Sequence, residues 1–307
     1  PTSPEKMAQY ALRMAQDGAN VIGGCCGTTP AHLAAVIREV KGMTPTLRKV
    51  ETATRLAGRT RMVTLGRGRI PVMVGERINP TGKKDLAQEL REGRFAWIKN
   101  AAREQVEKGA VLLDVNVASS GVNEPEAMKR AVLELQKTVD VPLILDSGNP
   151  AALEAGLRAA DGKMVLNSVS GKVESLATNL PLARKYGAAV IGLTLDEKGV
   201  PRTAEERLSI AIRILDAALF WGIPQEDILI DCLVLTAGAQ QDQVQETLQA
   251  LKRVKEELGV TTILGISNVS HGLPHRSLLN ASFVAMALAA GLDAAMVDPL
   301  DARVREA

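Results

Sequence analysis

From residue 71 onward the chain alternates short apolar runs with longer amphipathic stretches, and it does so eight times. The runs are 72–74, 111–117, 143–145, 164–166, 189–195, 228–235, 262–266 and 294–297. Between them lie segments of helical spacing. One is 85–108, with Leu86, Leu90, Ile98 and Val106 among its apolar positions; another is 125–138, with Met128, Val132 and Leu135. A third is 203–221, with Leu208, Ile212, Leu215 and Leu219 on one face. The runs are almost continuously apolar, as strands buried on both faces are. Eight strand–helix units in roughly 235 residues is the arithmetic of an α/β chain closed into a (β/α)₈ TIM barrel. An open doubly wound sheet is the alternative, and the lack of a Gly-rich first turn disfavours it. The last unit is short: its helix is expected near Asp301, and the sequence ends at Ala307.

The first 45 residues follow a different pattern. Segments 5–17 and 30–41 are expected to be helical and 19–22 to be a strand, too little material for a core of its own. The stretch after it is rich in Thr, Arg, Gly and Pro. The expected division is therefore 1–44 as the tail of one domain, 45–70 as a linker and 71–307 as the barrel. The chain starts without Met, which is expected of a piece of a longer protein.

With 46% hydrophobic and 23% charged residues, the composition excludes a disordered chain. A net charge of +2 and an aromatic content of 2% argue against a nucleic-acid surface. The five arginines between Arg55 and Arg69 are accordingly expected to be solvated linker residues. No run approaches the roughly 18–20 apolar residues of a membrane span, and residues 1–10 lack a signal-peptide core. Three cysteines cannot make a disulfide framework, so a reducing, cytoplasmic setting is expected.

In such a barrel the functional end is the C-terminal end of the strands. There the runs give way to Gly75-Glu76-Arg77, Asp114-Val115-Asn116, Asp146-Ser147-Gly148-Asn149, Asn167-Ser168, Thr194-Leu195-Asp196, Asp231, Ser267-Asn268-Val269-Ser270 and Asp298-Pro299. Acids and amides recur at nearly every ending. They are costly to desolvate unless partners or a ligand satisfy them. A ring of Asp and Asn suits a flat heterocycle with amide-like edges, or a divalent cation, better than it suits a phosphate. Single residues here have a plainer reading: Asn149, Asp196 and Asp298 can be caps or turn formers. Cys232, next to Asp231, is expected to face the opposite way as a buried thiol. In the first segment, Gly23-Gly24-Cys25-Cys26-Gly27 offers two adjacent thiols, either buried structural groups or part of a metal site that needs more ligands.

These strings carry a resemblance. Gly23-Gly24-Cys25-Cys26-Gly27-Thr28-Thr29-Pro30-Ala31-His32 is similar to the closing segment of the homocysteine- and zinc-binding barrel of the cobalamin-dependent methionine synthase family. Val74-Gly75-Glu76-Arg77-Ile78-Asn79-Pro80-Thr81-Gly82 resembles the start of that family's folate-binding barrel. Leu145-Asp146-Ser147, Leu166-Asn167-Ser168, Ile230-Asp231-Cys232 and Leu264-Gly265-Ile266-Ser267-Asn268-Val269-Ser270 continue it, so the likeness covers essentially the whole chain.

The resemblance implies a pterin-binding barrel that binds N5-methyltetrahydrofolate. The methyl group would pass to cob(I)alamin held on another domain of the parent protein. Asp146 and Asp231 match positions that grip the amino-pyrimidine edge of the pterin, and Asn167 matches their amide partner. Asn268 matches the residue near N5, and Glu76 and Asp114 match further acidic positions lining the site. Asn268 and Asp231 are the expected catalytic pair. No general acid stands out in sequence beside Asn268, so solvent is the expected proton source. Cys25 and Cys26 match two of three zinc ligands, with the third expected upstream, so tight zinc binding by this chain is not expected.

The parent's homocysteine and cobalamin domains are the implied partners, and neither nucleic acid nor a membrane is. A stand-alone methyltetrahydrofolate:corrinoid–iron–sulfur-protein methyltransferase shares the barrel but has no reason to carry Cys25 and Cys26. Dihydropteroate synthase would need a basic cluster near the seventh and eighth strands, and residues 267–275 contain no Lys or Arg. A non-catalytic pterin-binding module is the remaining alternative.

Overall fold

The computed structural model describes residues 2–45 and 52–307. The chain divides into two compact units, 1–52 and 53–307. In the first, helices α1 (Pro4–Gln16) and α2 (Pro30–Val40) pack through Ala8, Ala11, Ala35 and Val36. Both open as their sequences direct, with Pro in the first turn and Ser3 or Thr29 at the cap. The strand expected at 19–22 is not formed: the segment is extended but unpaired, and Val21 is 93% exposed. A strand exists only by pairing, and no neighbour is present for it among the described residues of this unit.

The second unit opens with an antiparallel hairpin, β1 (Thr54–Ala57) and β2 (Met62–Leu65). There follow β3 (Val72–Ile78), α3 (Lys84–Arg91), α4 (Ala96–Glu107), β4 (Leu112–Asn116), α5 (Glu124–Gln136), β5 (Leu143–Asp146), α6 (Pro150–Ala159) and β6 (Val165–Ser170). The remaining elements are α7 (Val173–Tyr186), β7 (Ala189–Leu193), α8 (Ala204–Phe220), β8 (Ile228–Asp231), α9 (Gln241–Arg253), β9 (Thr261–Gly265), α10 (Arg276–Ala289), β10 (Ala294–Val297) and α11 (Ala302–Glu306). Strands β3 to β10 pair in sequence order, all parallel, and β10 closes on β3. The eight-stranded barrel expected from the alternation is formed, including its short final helix. Segment 85–108 forms two helices: α3 ends at Arg91, and Gly93 takes a left-handed φ of +64° that α4 cannot continue through. No helix among the described residues is long and apolar enough to cross a membrane.

Two hydrophobic layers hold the barrel. Between sheet and helices lie residues such as Leu113, Leu145, Leu166, Val190, Ile230 and Leu264, packed on Ile98, Met128, Leu180, Ile214 and Leu251. Inside the barrel the opposite strand faces meet: Val74, Leu112, Ile144, Val165, Ile191, Leu229, Ile263 and Met296. Leu56, Val63 and Leu65 of the hairpin belong to this inner cluster. The stretch 45–70, which reads as a linker, therefore contains the hairpin that packs against the barrel's interior core. Its short alternation, Thr54 and Leu56 buried with Arg55 and Ala57 less so, is a period of two hidden among Arg, Gly and Thr.

Main-chain bonds between Ala57 and Lys163 (3.1 and 2.8 Å) and the Thr54–Thr261 hydroxyl pair (2.6 Å) seat the hairpin. Arg59 reaches Asp161 at 3.5 Å and the Gln136 carbonyl at 3.4 Å, so it covers this end of the barrel. If the hairpin is part of the core, Leu56→Ala, at a fully buried position, lowers stability by about 2–4 kcal/mol. Urea unfolding followed by the fluorescence of Trp97 and Trp221 measures this; a loss below about 1 kcal/mol would show that the hairpin only lies against the barrel.

Candidate active site

The site is built by carrying the inward face of each strand one step further. Side chains alternate across a strand, so the residue two positions past an inward apolar one also points inward. Val74 is followed by Glu76, Leu112 by Asp114 and Asn116, Ile144 by Asp146, Val165 by Asn167, Leu229 by Asp231 and Met296 by Asp298. Only β7 keeps an apolar residue there, Leu193, and β9 ends in Gly265. The apolar interior is thus capped at its C-terminal end by a polar tier. Strand register sets neighbours within it: Asn116 lies beside Asp146, Asp146 beside Asn167, and Leu193 beside Asp231.

Amide–carboxylate pairs tie one side of the tier together. Asn167 Nδ2 donates to Asp114 Oδ1 at 3.1 Å, and Asn116 Nδ2 donates to Asp146 Oδ2 at 2.9 Å. Burial raises Asp114 well above the usual carboxylate range, and the nearby Asp146 adds to it. Asp146 is also raised by burial, with Glu124 adding to the effect and the Asn116 bond opposing it. Across the mouth, Asp231 is pushed up to about 6 by burial, against hydrogen bonds from the Leu233 and Gly265 backbones. The Leu233 N–H reaches Asp231 Oδ1 at 2.7 Å.

Glu76 sits on a bulge. The β3–β4 register slips between Gly75 and Ile78, which leaves the Arg77 N–H without a ladder partner; Gln105 Oε1, from fully buried Gln105 on α4, accepts it at 2.9 Å. Gly75 makes this approach possible, since a Cβ there would stand 2.5 Å from Gln105 Oε1. Burial pushes Glu76 up to about 6, and the charge of Asp298 adds to that. The Ser267 hydroxyl donates to Glu76, and Arg77 Nη1 pairs with Asp298 at 2.8 Å. Burial holds Lys83, whose Nζ lies 3.1 Å from the Asn79 carbonyl, below its usual value.

Of the residues expected from sequence, Glu76, Asp114, Asp146, Asn167 and Asp231 gather in the polar tier. Asn268 stands apart from them: it lies exposed in the single-turn helix Ile266–Ser270, next to Ser267 and with Gly265 packed under its amide. Asn149 caps α6, and Asp196 accepts from the Lys198 amide, as the plainer reading has it. Asp298 accepts from the Leu300 amide and also holds Arg77. Cys232 is buried, and burial pushes its thiol up.

Cys25 and Cys26 belong to the first unit. Both are exposed, with Sγ atoms 3.8 Å apart, and hydrogen bonding from Cys26 lowers Cys25. That separation is about the edge between two thiolates on a tetrahedral zinc with Zn–S near 2.3 Å. Among the described residues no group of three or more His, Cys, Asp or Glu gathers to complete such a site.

Sequence reasoning placed Asn116 at a strand end but gave it no part in the site, although it lies two residues past Asp114 and so on the same face. It also passed over Gln105, whose partner is a bulge that no local pattern announces. It found no basic residue in 267–275, yet Arg276, one residue later, donates to the Ser267 carbonyl (3.0 Å) and the Ser270 hydroxyl (3.1 Å).

Raised acids make the ligand-free barrel pH-sensitive. Below the ordinary value of 4.5, Glu76 is protonated folded or unfolded and contributes nothing. As pH rises from 4.5 to about 6 the unfolded chain loses this proton first, so stability falls, and above that range the penalty is constant. Glu76→Gln keeps an acceptor for Ser267 and removes the charge. It is expected to stabilise the barrel by up to about 2 kcal/mol at pH 8 and to be neutral at pH 4.5. Thermal unfolding at both pH values checks this; equal effects at the two would mean that Glu76 is solvated.

Comparison with known proteins places this geometry. Residues 75–298 match the family described as pterin binding enzyme, and residues 1–40 match homocysteine S-methyltransferase. The chain is 33% identical over 311 residues to the methionine synthase of Mycobacterium tuberculosis and 34% identical over 316 residues to that of Mycobacterium leprae. In both cases 97% of this chain aligns, but it spans only 26% of the relative's length. Among solved structures, Xanthomonas albilineans dihydropteroate synthase with 4-aminobenzoic acid superposes with a TM-score of 0.64 at 21% identity, covering 83% of this chain and 96% of that one. Yersinia pestis dihydropteroate synthase gives 0.57 at 15% identity, covering 82% and 95%. At such identities these two likenesses establish the fold alone. By the match that spans the barrel and its polar tier, the chain belongs to the pterin binding enzyme family.

Proposed function

We propose that the barrel binds N5-methyltetrahydrofolate at the polar tier and presents its methyl group for transfer to cob(I)alamin, as the folate module of a methionine synthase. The observation that carries this reading is the tier itself: Asp114, Asp146, Asn167 and Asp231 stand at strand ends in a pterin-binding barrel, and the methionine synthases align along nearly all of the chain. An amino-pyrimidine edge offers N–H donors and an acceptor. Asp146 and Asp231 accept from it, and Asn167 supplies the amide that does both. Desolvated acids favour such a ligand, because its donors replace the water that burial removed.

Cob(I)alamin would supply the nucleophile that takes the methyl group. The residues of this chain have two tasks. Contacts from the tier fix the pterin plane, so that the methyl–N5 bond points out of the mouth. Asn268, exposed and next in sequence to the Ser267 that bonds Glu76, donates a hydrogen bond to N5 that strengthens as the bond breaks, which eases departure of a poor amine leaving group. The proton need not come from solvent. Glu76 lies under Ser267, adjacent to Asn268 in sequence, and carries a proton up to about pH 6. Arg276 is bonded to Ser267 and Ser270, which gives that cation a scaffolding role rather than that of a free phosphate ligand. In the first unit, Cys25 and Cys26 would hold zinc together with ligands from elsewhere in the parent protein, where zinc would activate a thiol substrate.

Calorimetric titration with N5-methyltetrahydrofolate tests the assignment. The wild-type chain binds, and Asp146→Ala/Asn167→Ala loses on the order of tenfold or more in affinity, because ring donors are left unpaired. Equal binding by the two would remove the tier from the site. Asn268→Ala is expected to slow methyl transfer to added cob(I)alamin by on the order of tenfold while changing affinity less. The opposite order would make Asn268 a binding residue only, and binding without any transfer by the wild type would favour a non-catalytic module.

A further inference from the structure

Arg207, on α8, has no solvent exposure. A fully buried arginine is rare, and it is normally paired with a carboxylate. Among the described residues Arg207 makes no ion pair. Its guanidinium is spent on neutral oxygens: Nε on the Pro201 carbonyl (3.1 Å), Nη2 on Gln243 Oε1 (2.9 Å), and Nη1 on Thr247 Oγ1 (2.6 Å) and on the carbonyls of Cys232 and Leu233 (2.9 Å each). The last two flank an anomaly. Leu233 has φ +56°, a left-handed conformation that a branched side chain adopts only when its surroundings impose it. The consequence of that conformation is local: the Leu233 N–H turns back onto Asp231 Oδ1 at 2.7 Å. Thr247, on α9, also faces this loop: its hydroxyl lies 3.1 Å from the Leu233 carbonyl and 2.8 Å from the Gln243 carbonyl, which share its one proton.

We propose that Arg207 is a positioning residue for Asp231. It clamps the carbonyls on both sides of the Leu233 amide, imposes the left-handed conformation there, and so aims the N–H that fixes the Asp231 carboxylate across the mouth. Its planar fork is the reason for arginine, since lysine cannot reach several carbonyls in one plane. Among the described residues, Arg207 is the charged side chain that donates to the Cys232 and Leu233 carbonyls; the second strut, Thr247, is a hydroxyl, and Cys232 turns away into the core. The ligand consequence rests on Asp231 gripping the pterin, as proposed above; the geometric consequence does not.

The test uses the whole chain and two readouts. Without ligand, the Leu233 amide proton resonance in the wild type follows the titration of Asp231 near pH 6, because it donates to that carboxylate. In Arg207→Lys this dependence is lost. With N5-methyltetrahydrofolate, Arg207→Lys binds on the order of tenfold more weakly. Adding Leu233→Gly, which takes a positive φ without strain, recovers most of that loss. Arg207→Met serves as a second variant that keeps no charge, with thermal unfolding to show that each variant is folded. An amide that still titrates in Arg207→Lys overturns the proposal. So does unchanged affinity, or a loss that Leu233→Gly deepens, as it would if Arg207 only joined α8 to α9. A wild type that does not bind folate but shows the stated amide behaviour would leave Arg207 as the positioner of Asp231 and overturn only the folate reading.

Discussion

Closure of a parallel barrel leaves one interior, and every second residue of eight strands must enter it. The rest of this structure follows from how those positions are filled. Over most of the depth they are Val, Leu, Ile, Ala and Met, which exclude water and need no partners. At one end the apolar filling is completed by a hairpin from outside the strand–helix repeat, whose Leu56, Val63 and Leu65 join the same cluster. At the other end the strands run one inward position further, and that position is acidic or amide on six of them. The same periodicity that makes the core thus makes the site.

That arrangement works against stability without ligand. A carboxylate at the rim of an apolar interior loses hydration, so Glu76 and Asp231 are raised to about 6 and Asp114 well above its usual value. On the Asp114–Asp146 side the tier limits the penalty by pairing within itself, amide to acid, whereas Asp298 pairs with Arg77. Asn116 and Asn167 stabilise their acids without neutralising them, which leaves acceptor capacity that a donor-rich heterocycle can use. The cations at this end are held elsewhere: Arg77 by Asp298, Arg276 by serine oxygens, and Arg207 behind the strand by carbonyls.

Precision in the tier comes from residues that never enter it. Gln105 accepts the N–H freed by the β3 bulge and so fixes the strand end that carries Glu76. Arg207 holds the loop that caps Asp231. Each does for a bent or strained backbone what ladder bonds do for a regular strand, which is to leave one conformation available. Both are buried polar side chains on the inner faces of helices, α4 and α8, at positions where an amphipathic pattern expects an apolar residue.

The alternation of apolar runs and amphipathic segments was enough to establish the barrel, because burial on both faces of a strand and on one stripe of a helix are local, periodic requirements. The acids and the amide at the strand ends were legible for the same reason: Glu76, Asp146 and Asn167 follow apolar runs, and Asp114 and Asp231 interrupt them. Other features depend on which elements meet. The hairpin is too short to show its period among Arg and Gly, and its apolar side has meaning only once a barrel interior exists to receive it. The expected strand at 19–22 has the right residues but no partner in its unit to bond to. Asn116, Gln105, Ser267 and Arg207 acquire their roles from register, a bulge and a left-handed residue, which bring together positions 28 to 191 residues apart in some of these contacts. Sequence periodicity decides which way a side chain points; only closure of the barrel decides what it meets there, because pairing is fixed by through-space geometry that no local pattern encodes.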